Sequence, residues 1–311
     1  MSLCIDLVEQ ILCLFLMALG GFIVSKVGLV RPQESKILSV ISVFIFTPCM
    51  LFGSFLIQWT PEKLSGIFLA FFSSVLVHGI YLIMTVLIRR RVPMTDIDAV
   101  SIVFTNAGNI MIPLIAGTLG HEYIFYTSAY MVVQNLLLWS YGIKVIGKQD
   151  RFQLRRVITN PVIIAIFLGI LTIFFPIALP TPLEDTIHSL GACMAPVSMI
   201  LVGILFAGMD RKKLKLLKGL WRSVVLRLLV YPLVILILLA LLSRLIHHPD
   251  TWQILFVILL ASAGPSASQV VQVSQLYDNE SERASCINMI TTLFCAVTLP
   301  VFALLSQFFL A

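Results

Sequence analysis

Charge is scarce in this chain of 311 residues: Asp, Glu, Lys and Arg together make up 12% of it, against 59% hydrophobic residues. A soluble globular chain is about a quarter charged and about half apolar, so the composition excludes an ordinary soluble domain and implies a polytopic membrane protein. Acidic groups are missing from the middle of every long apolar segment. Asp6, Glu9, Glu122, Glu184 and Asp185 fall near one set of segment ends, and Asp96, Asp98, Asp278, Glu280 and Glu282 near the other. The paired carboxylates of a sodium–proton antiporter are therefore missing. HExxH and GxSxG are missing too, which argues against an intramembrane enzyme. The six cysteines, at 4, 13, 49, 193, 286 and 295, have no CxxC spacing and lie in or beside apolar runs. They are expected to be small buried hydrophobes, and no metal or organic cofactor is expected. Linkers long enough to be a domain and low-complexity tracts are also lacking. The first apolar run has no basic leader, carries Asp6 and Glu9 and continues past Gly21, so it is expected to be a retained span and not a signal peptide.

What the chain has instead is apolar length. About 20 apolar residues cross a bilayer as a helix. Ten segments reach that length, at roughly 5–24, 36–57, 64–88, 98–119, 122–144, 157–177, 186–209, 223–246, 251–276 and 284–309. Of the 21 Lys and Arg residues, 18 fall in one alternate set of loops, from Lys26 through the 211–222 cluster to Arg283. Lys63 and Arg244 alone occupy the opposite loops, and Arg227 lies inside the eighth segment. The basic side is cytoplasmic by the positive-inside rule, which puts both termini of a ten-span chain outside. The net charge of +6 thus reads as topology and contact with anionic lipid, not as nucleic-acid binding. Five spans precede the sixth, so segments 1–5 and 6–10 run in opposite senses, an inverted repeat. Pro48 in segment 2 matches Pro196 in segment 7. Ala107-Gly108 in segment 4 matches Ala263-Gly264 in segment 9, a register that lays Asn106 against Ser262 and Asn109 against Pro265.

Two of these segments contain residues that a membrane helix avoids. Phe104-Thr-Asn-Ala-Gly-Asn-Ile-Met-Ile-Pro113 carries two amides, a glycine and a proline, and Ala261-Ser-Ala-Gly-Pro-Ser-Ala-Ser268 carries a Gly-Pro pair among serines. Proline lacks the N–H and crowds the carbonyl four residues back, so the first helix is expected to break or kink near 108–113, and Ala261–Ser268 is a second such place. Backbone groups freed at bilayer depth cost several kcal/mol each unless protein or a water-filled cavity satisfies them. Paired interrupted helices in the two halves of a chain point to the binding site of a secondary transporter.

The chain resembles the auxin efflux carrier family, which includes plant PIN and PIN-like carriers and bacterial malonate and malate transporters. The residues that carry the resemblance are Asn106-Ala-Gly-Asn-Ile-Met-Ile-Pro113, Asn160-Pro161, and Leu190-Gly191 through Pro196 and Gly203. Ala261-Ser262, Pro265-Ser266-Ala267, Tyr277, Glu282, Ala284-Ser285 and Thr298-Leu-Pro300 continue it, in the family's order over nearly the whole chain. With only Gly147 to Arg156 between segments 5 and 6, it looks like a short bacterial-type member. The resemblance implies an all-α fold of ten transmembrane helices in two inverted five-helix repeats, 1–146 and 157–311, joined by a cytoplasmic linker at 147–156. It is shared in outline with bile-acid and sodium–proton transporters, and the broken helices 4 and 9 cross. Helices 1, 2, 6 and 7 would form a scaffold that often dimerises. Helices 3–5 and 8–10 would form a moving, elevator-type transport domain in a plasma membrane, with substrate beside the crossover. Asn109 departs from the apolar residue the family pattern has after that glycine, which points to a more polar substrate.

An organic anion suits such a site, because half-helix N-termini bring partial positive charge and free N–H groups. The candidate binding residues are Asn106, Gly108, Asn109 and Pro113 at the first break, and Ser262, Gly264, Pro265, Ser266 and Gln269 at the second. Gln134, Asn135 and Asn288 join them from segments 5 and 10. The plain alternative is that these groups satisfy one another and the broken backbone. Gln272 and Gln275 approach the cytoplasmic end, where a wetted face is an equal alternative. Arg227 is expected to snorkel to the cytoplasmic surface. His78, deep in segment 3, could carry a coupling proton or could be a neutral, hydrogen-bonded histidine. The reading is a carrier of a small organic anion, a malonate- or malate-like or auxin-like acid, by export or uniport. Its alternatives are a proton- or sodium-coupled symporter and a ligand-binding membrane sensor.

Overall fold

The computed structural model describes residues 2–56, 61–107, 115, 119, 123–148, 155, 158–175, 179–208, 219–246 and 248–310. Its helices fall on the ten apolar stretches. The first half contains α1 (Ser2–Lys26), α2 (Lys36–Gly53), α3 (Pro61–Arg89), the short α4 (Asp96–Val103) and α5 (124–146). The second half contains α6 (Pro161–Phe174), α7 (Thr181–Ala207), α8 (Leu220–Ser243), α9 (Thr251–Ala263), α10 (Ser268–Leu276) and α11 (Ser281–Phe309). Five of these, α2, α3, α7, α8 and α11, are each long and apolar enough to cross a membrane. The outer faces agree with that. Leu12, Leu16, Leu19 and Ile23 recur every three or four residues along α1 and are about half exposed, a stripe that lipid satisfies and water would not. The protein is a multi-pass helical membrane protein.

Prolines set the local irregularities. Pro48 in α2 and Pro232 in α8 are each preceded by a π-helical turn, Ser42–Phe46 and Leu226–Val230. The looser turn relieves the clash of the proline ring with the carbonyl four residues earlier. In α7 the same conflict at Pro196 is met by a turn at Cys193. α1 lies so close to α7 that a Cβ on Gly203 would stand 1.8 Å from the Ala18 carbonyl oxygen, and one on Gly21 would stand 2.0 Å from that of Ile200. Small residues are what allow such an approach where no water drives helices together.

Contacts draw together described parts of several basic-side loops. Lys36 pairs with Asp278 at 2.8 Å, Asn279 donates to the Ile146 carbonyl, and Arg283 forks onto Asp98 at 2.8 and 2.9 Å. Near the opposite loops Ser65 meets His248, and Tyr123 donates to Asp250. The cysteines divide: Cys286 and Cys295 are buried as expected, Cys49 is half-buried, and Cys13 and Cys193 are exposed on α1 and α7.

Candidate functional site

The interior is organised by the meeting of two helix breaks. α4 stops at Val103, and Phe104 turns to an extended conformation with ψ 137°. α9 stops at Ala263, followed by Gly264 at ψ 168° and, before α10, Ala267 at ψ 133°. The extended stretches lie antiparallel, with Thr105 opposite Ser266. The Asn106 N–H donates to the Pro265 carbonyl at 2.8 Å, and the Ala267 N–H donates to the Phe104 carbonyl at 3.0 Å. In this pairing the N–H and C=O of the two central residues point away from each other and need partners elsewhere.

Each has them. Gln134 on α5 accepts the Thr105 N–H at 2.8 Å and donates to the Thr105 carbonyl at 2.8 Å, while the Thr105 hydroxyl donates to the same amide oxygen at 3.0 Å. On the other side the Ser266 N–H donates to the Thr291 hydroxyl at 3.1 Å, and Asn288 donates to the Ser266 carbonyl at 2.6 Å. In this antiparallel pairing Asn106 stands opposite Pro265 and Phe104 opposite Ala267. Among the described residues α4 ends at Val103, where the bridge and the Gln134 amide hold the extended chain; the expected break at 108–113 lies outside them.

The carbonyls left at the ends of α4 and α9 converge on Arg227. This side chain does not snorkel to the surface as expected: it is fully buried, and it leaves the π-turn of α8 pointing inward. Its guanidinium donates to the Ile102 carbonyl at 2.8 Å, to Ser262 at 2.5 Å, and twice to Gly264 at 3.0 and 2.8 Å. It also stands 5.5 Å from the centre of the Tyr81 ring, whose hydroxyl donates to the Ser262 carbonyl at 3.1 Å. The physical reason is the unmet acceptors: the last carbonyls of a helix have no intrahelical partner, and they attract a cation.

On the other side of the bridge lies a small cleft. Thr105, Asn106 and Ala107 line it from the first break, Ala267, Ser268 and Gln269 from the second, and Met131, Gln134 and Asn135 from α5. Met50 of α2 and Met194 of α7 close it. Two buried polar atoms here have no partner among the described residues, Nδ2 of Asn106 and the hydroxyl of Ser268. Ser268 also opens α10, whose first-turn N–H groups have no helical carbonyl to bind. The cleft therefore offers hydrogen-bond donors, one end of a helix dipole and three thioethers, and no charged side chain among its described lining.

The expected site residues separate accordingly. Asn106 and Gln269 line the cleft, and so does Asn135, which accepts from Gln269 at 3.0 Å and donates to the Met131 carbonyl. Gln134 lines it with its amide directed at Thr105. Gly264, Pro265, Ser266 and Asn288 build the crossing itself. The Ser262 hydroxyl donates within α9 to Leu259. Gly108, Asn109 and Pro113 lie outside the described residues. His78 is fully buried on α3, donates from Nδ1 to the Ser74 carbonyl at 2.8 Å and packs 4.6 Å from the Tyr130 ring, apart from the cleft lining. Its bond is to its own helix and not to a neighbouring one. Gln272 and Gln275 are not wetted: they are buried and donate to Ser198, Ser35 and the Pro32 carbonyl. Sequence reasoning missed Thr105, Ser268, Met50, Met131 and Met194. The only signal for the two outer methionines was their position beside Pro48 and Pro196.

A model of the family described as "Membrane transport protein" matches residues 6–151 and 148–303 of the chain. No curated protein matches it significantly. The family match spans nearly the whole length and agrees with the helical, lipid-facing architecture: the chain belongs to the auxin efflux carrier family of membrane transport proteins.

Proposed function

We propose that the chain carries a small organic anion, a mono- or dicarboxylate, across a plasma membrane by alternating access at the Thr105–Ser266 crossover. In this reading the ten helical stretches form two inverted five-helix repeats. Both termini lie outside, a scaffold of the first, second, sixth and seventh stretches supports a homodimer, and the rest moves. The placement of 18 of the 21 Lys and Arg residues in one alternate set of loops supports the orientation.

The observation that carries the reading is the pair of unpartnered donors, Asn106 Nδ2 and the Ser268 hydroxyl, beside the N-terminus of α10. A buried donor without a partner costs about 1–3 kcal/mol, and a carboxylate oxygen in the cleft would recover it. The methionines give the carbon skeleton an adaptable apolar surface. Amides and hydroxyls hold an anion without a lysine, which favours release as well as capture. A potential of 100 mV, inside negative, acts on one charge with about 2.3 kcal/mol, so uniport of a monovalent anion runs outward. Asn106→Ala should abolish flux of labelled malonate, malate or indole-3-acetate in proteoliposomes while leaving yield and unfolding temperature unchanged. Normal flux in that variant defeats the assignment.

A second reading, proton-coupled uptake, is favoured by one observation: with Nδ1 donating to Ser74, the buried Nε2 of His78 has no partner among the described residues and keeps its lone pair. In that case His78→Gln flattens the dependence of flux on pH, and an unchanged profile removes the proton role.

A further inference from the structure

Arg227 has the largest side chain among the fully buried residues, and none of the ion pairs among the described residues includes it. A buried charge without compensation is costly enough that something must stand in for a carboxylate. Here the stand-in is backbone. The four N–H···O contacts go to three carbonyls, Ile102 from α4 and Ser262 and Gly264 from α9, all at C-terminal ends of half-helices that meet at the crossing. Each such end carries roughly half a negative charge, so two together match one guanidinium. Carbonyls at the ends of interrupted helices are also what carriers use to coordinate sodium. In this chain that cage is filled by the chain itself.

We propose that Arg227 is the resident cation of the crossover. It occupies the carbonyl cage in place of a mobile cation, and as a positioning residue it fixes the two half-helix ends so that Asn106 and the first turn of α10 face the bound anion. Because the cation is tethered, it is neither taken up nor released in the transport cycle, and anion movement through this site has no sodium requirement. The inference rests on the carrier reading above for its flux consequences, and on the geometry alone for the cage.

The test uses the full-length protein in proteoliposomes with labelled malonate, malate or indole-3-acetate. Wild-type flux should be equal in sodium, potassium and choline media. Arg227→Ala should lose about tenfold or more, the consequence of several buried carbonyls left without a donor. Millimolar guanidinium should restore part of the Arg227→Ala flux while leaving the wild type unchanged. Arg227→Lys, with a compact ammonium in place of the planar fork, should fall between the two and remain independent of sodium. Sodium-stimulated flux in the wild type, undiminished flux in Arg227→Ala, or a folded Arg227→Ala indifferent to guanidinium would each overturn the proposal. Thermal unfolding in detergent separates this idea from the carrier reading. Guanidinium should raise the unfolding temperature of Arg227→Ala and not of the wild type, a result that stands even if no anion is carried. If Arg227→Ala does not fold, the sodium comparison in the wild type and in Arg227→Lys still decides.

Discussion

The break after α4 and the break between α9 and α10 lie side by side in one antiparallel pairing, yet they are made from different chemistry. The second contains Gly264-Pro265, residues that stop a helix wherever they are placed. The first contains Phe104, Thr105 and Asn106, none of which stops a helix by itself. The support differs in step. Ser266 is served by two side chains, Thr291 and Asn288, one for each backbone group. Thr105 depends on one, the Gln134 amide, for both. A break that local residues do not enforce has to be held by its surroundings, and here it is concentrated in a single glutamine. At bilayer depth the alternative, an open carbonyl and N–H, is what makes that glutamine necessary.

The contrast can be broken by substitution. Gln134→Leu removes all three hydrogen bonds at Thr105 and should destabilise the protein most, by about 2–3 kcal/mol in a detergent unfolding titration. The double variant Asn288→Ala with Thr291→Val should approach that loss. Each single change should cost about 1 kcal/mol, since one of the two Ser266 groups keeps its partner. If Gln134→Leu proved no worse than either single change, the first break would have support beyond Gln134. Pro265→Ala should matter least, within about 1 kcal/mol by the same titration, because the bridge and Arg227 hold the second break once it is folded. A large loss there would mean that the proline, and not the tertiary pairing, keeps α9 and α10 apart.

Reading the chain for apolar length located the helices, since about 20 apolar residues leave few alternatives. The second break falls inside the stretch Ala261–Ser268 that its Gly-Pro pair and serines singled out. The break expected at 108–113 lies outside the described residues; among those described α4 ends at Val103, where the extended segment at Ser266 and an amide on α5 hold the chain. No window of sequence contains either. Of the cleft, Asn106, Asn135 and Gln269 were legible as amides with no reason to lie in lipid. Thr105, Ser268 and the three methionines were not, since a hydroxyl can return its hydrogen bond to its own helix and a methionine looks like any core residue.

Arg227 marks the boundary between the two kinds of knowledge. Composition, charge placement and the two polar interruptions by themselves determined a multi-pass helical membrane protein with polar residues at two interrupted stretches, because a bilayer imposes the same length and polarity requirements on every chain. A lone arginine about a turn inside an apolar segment is equally compatible with snorkelling outward or turning inward. Only the tertiary structure decided it, by bringing the carbonyl ends of α4 and α9 to the π-turn of α8, where unmet acceptors outweigh the pull of the membrane surface.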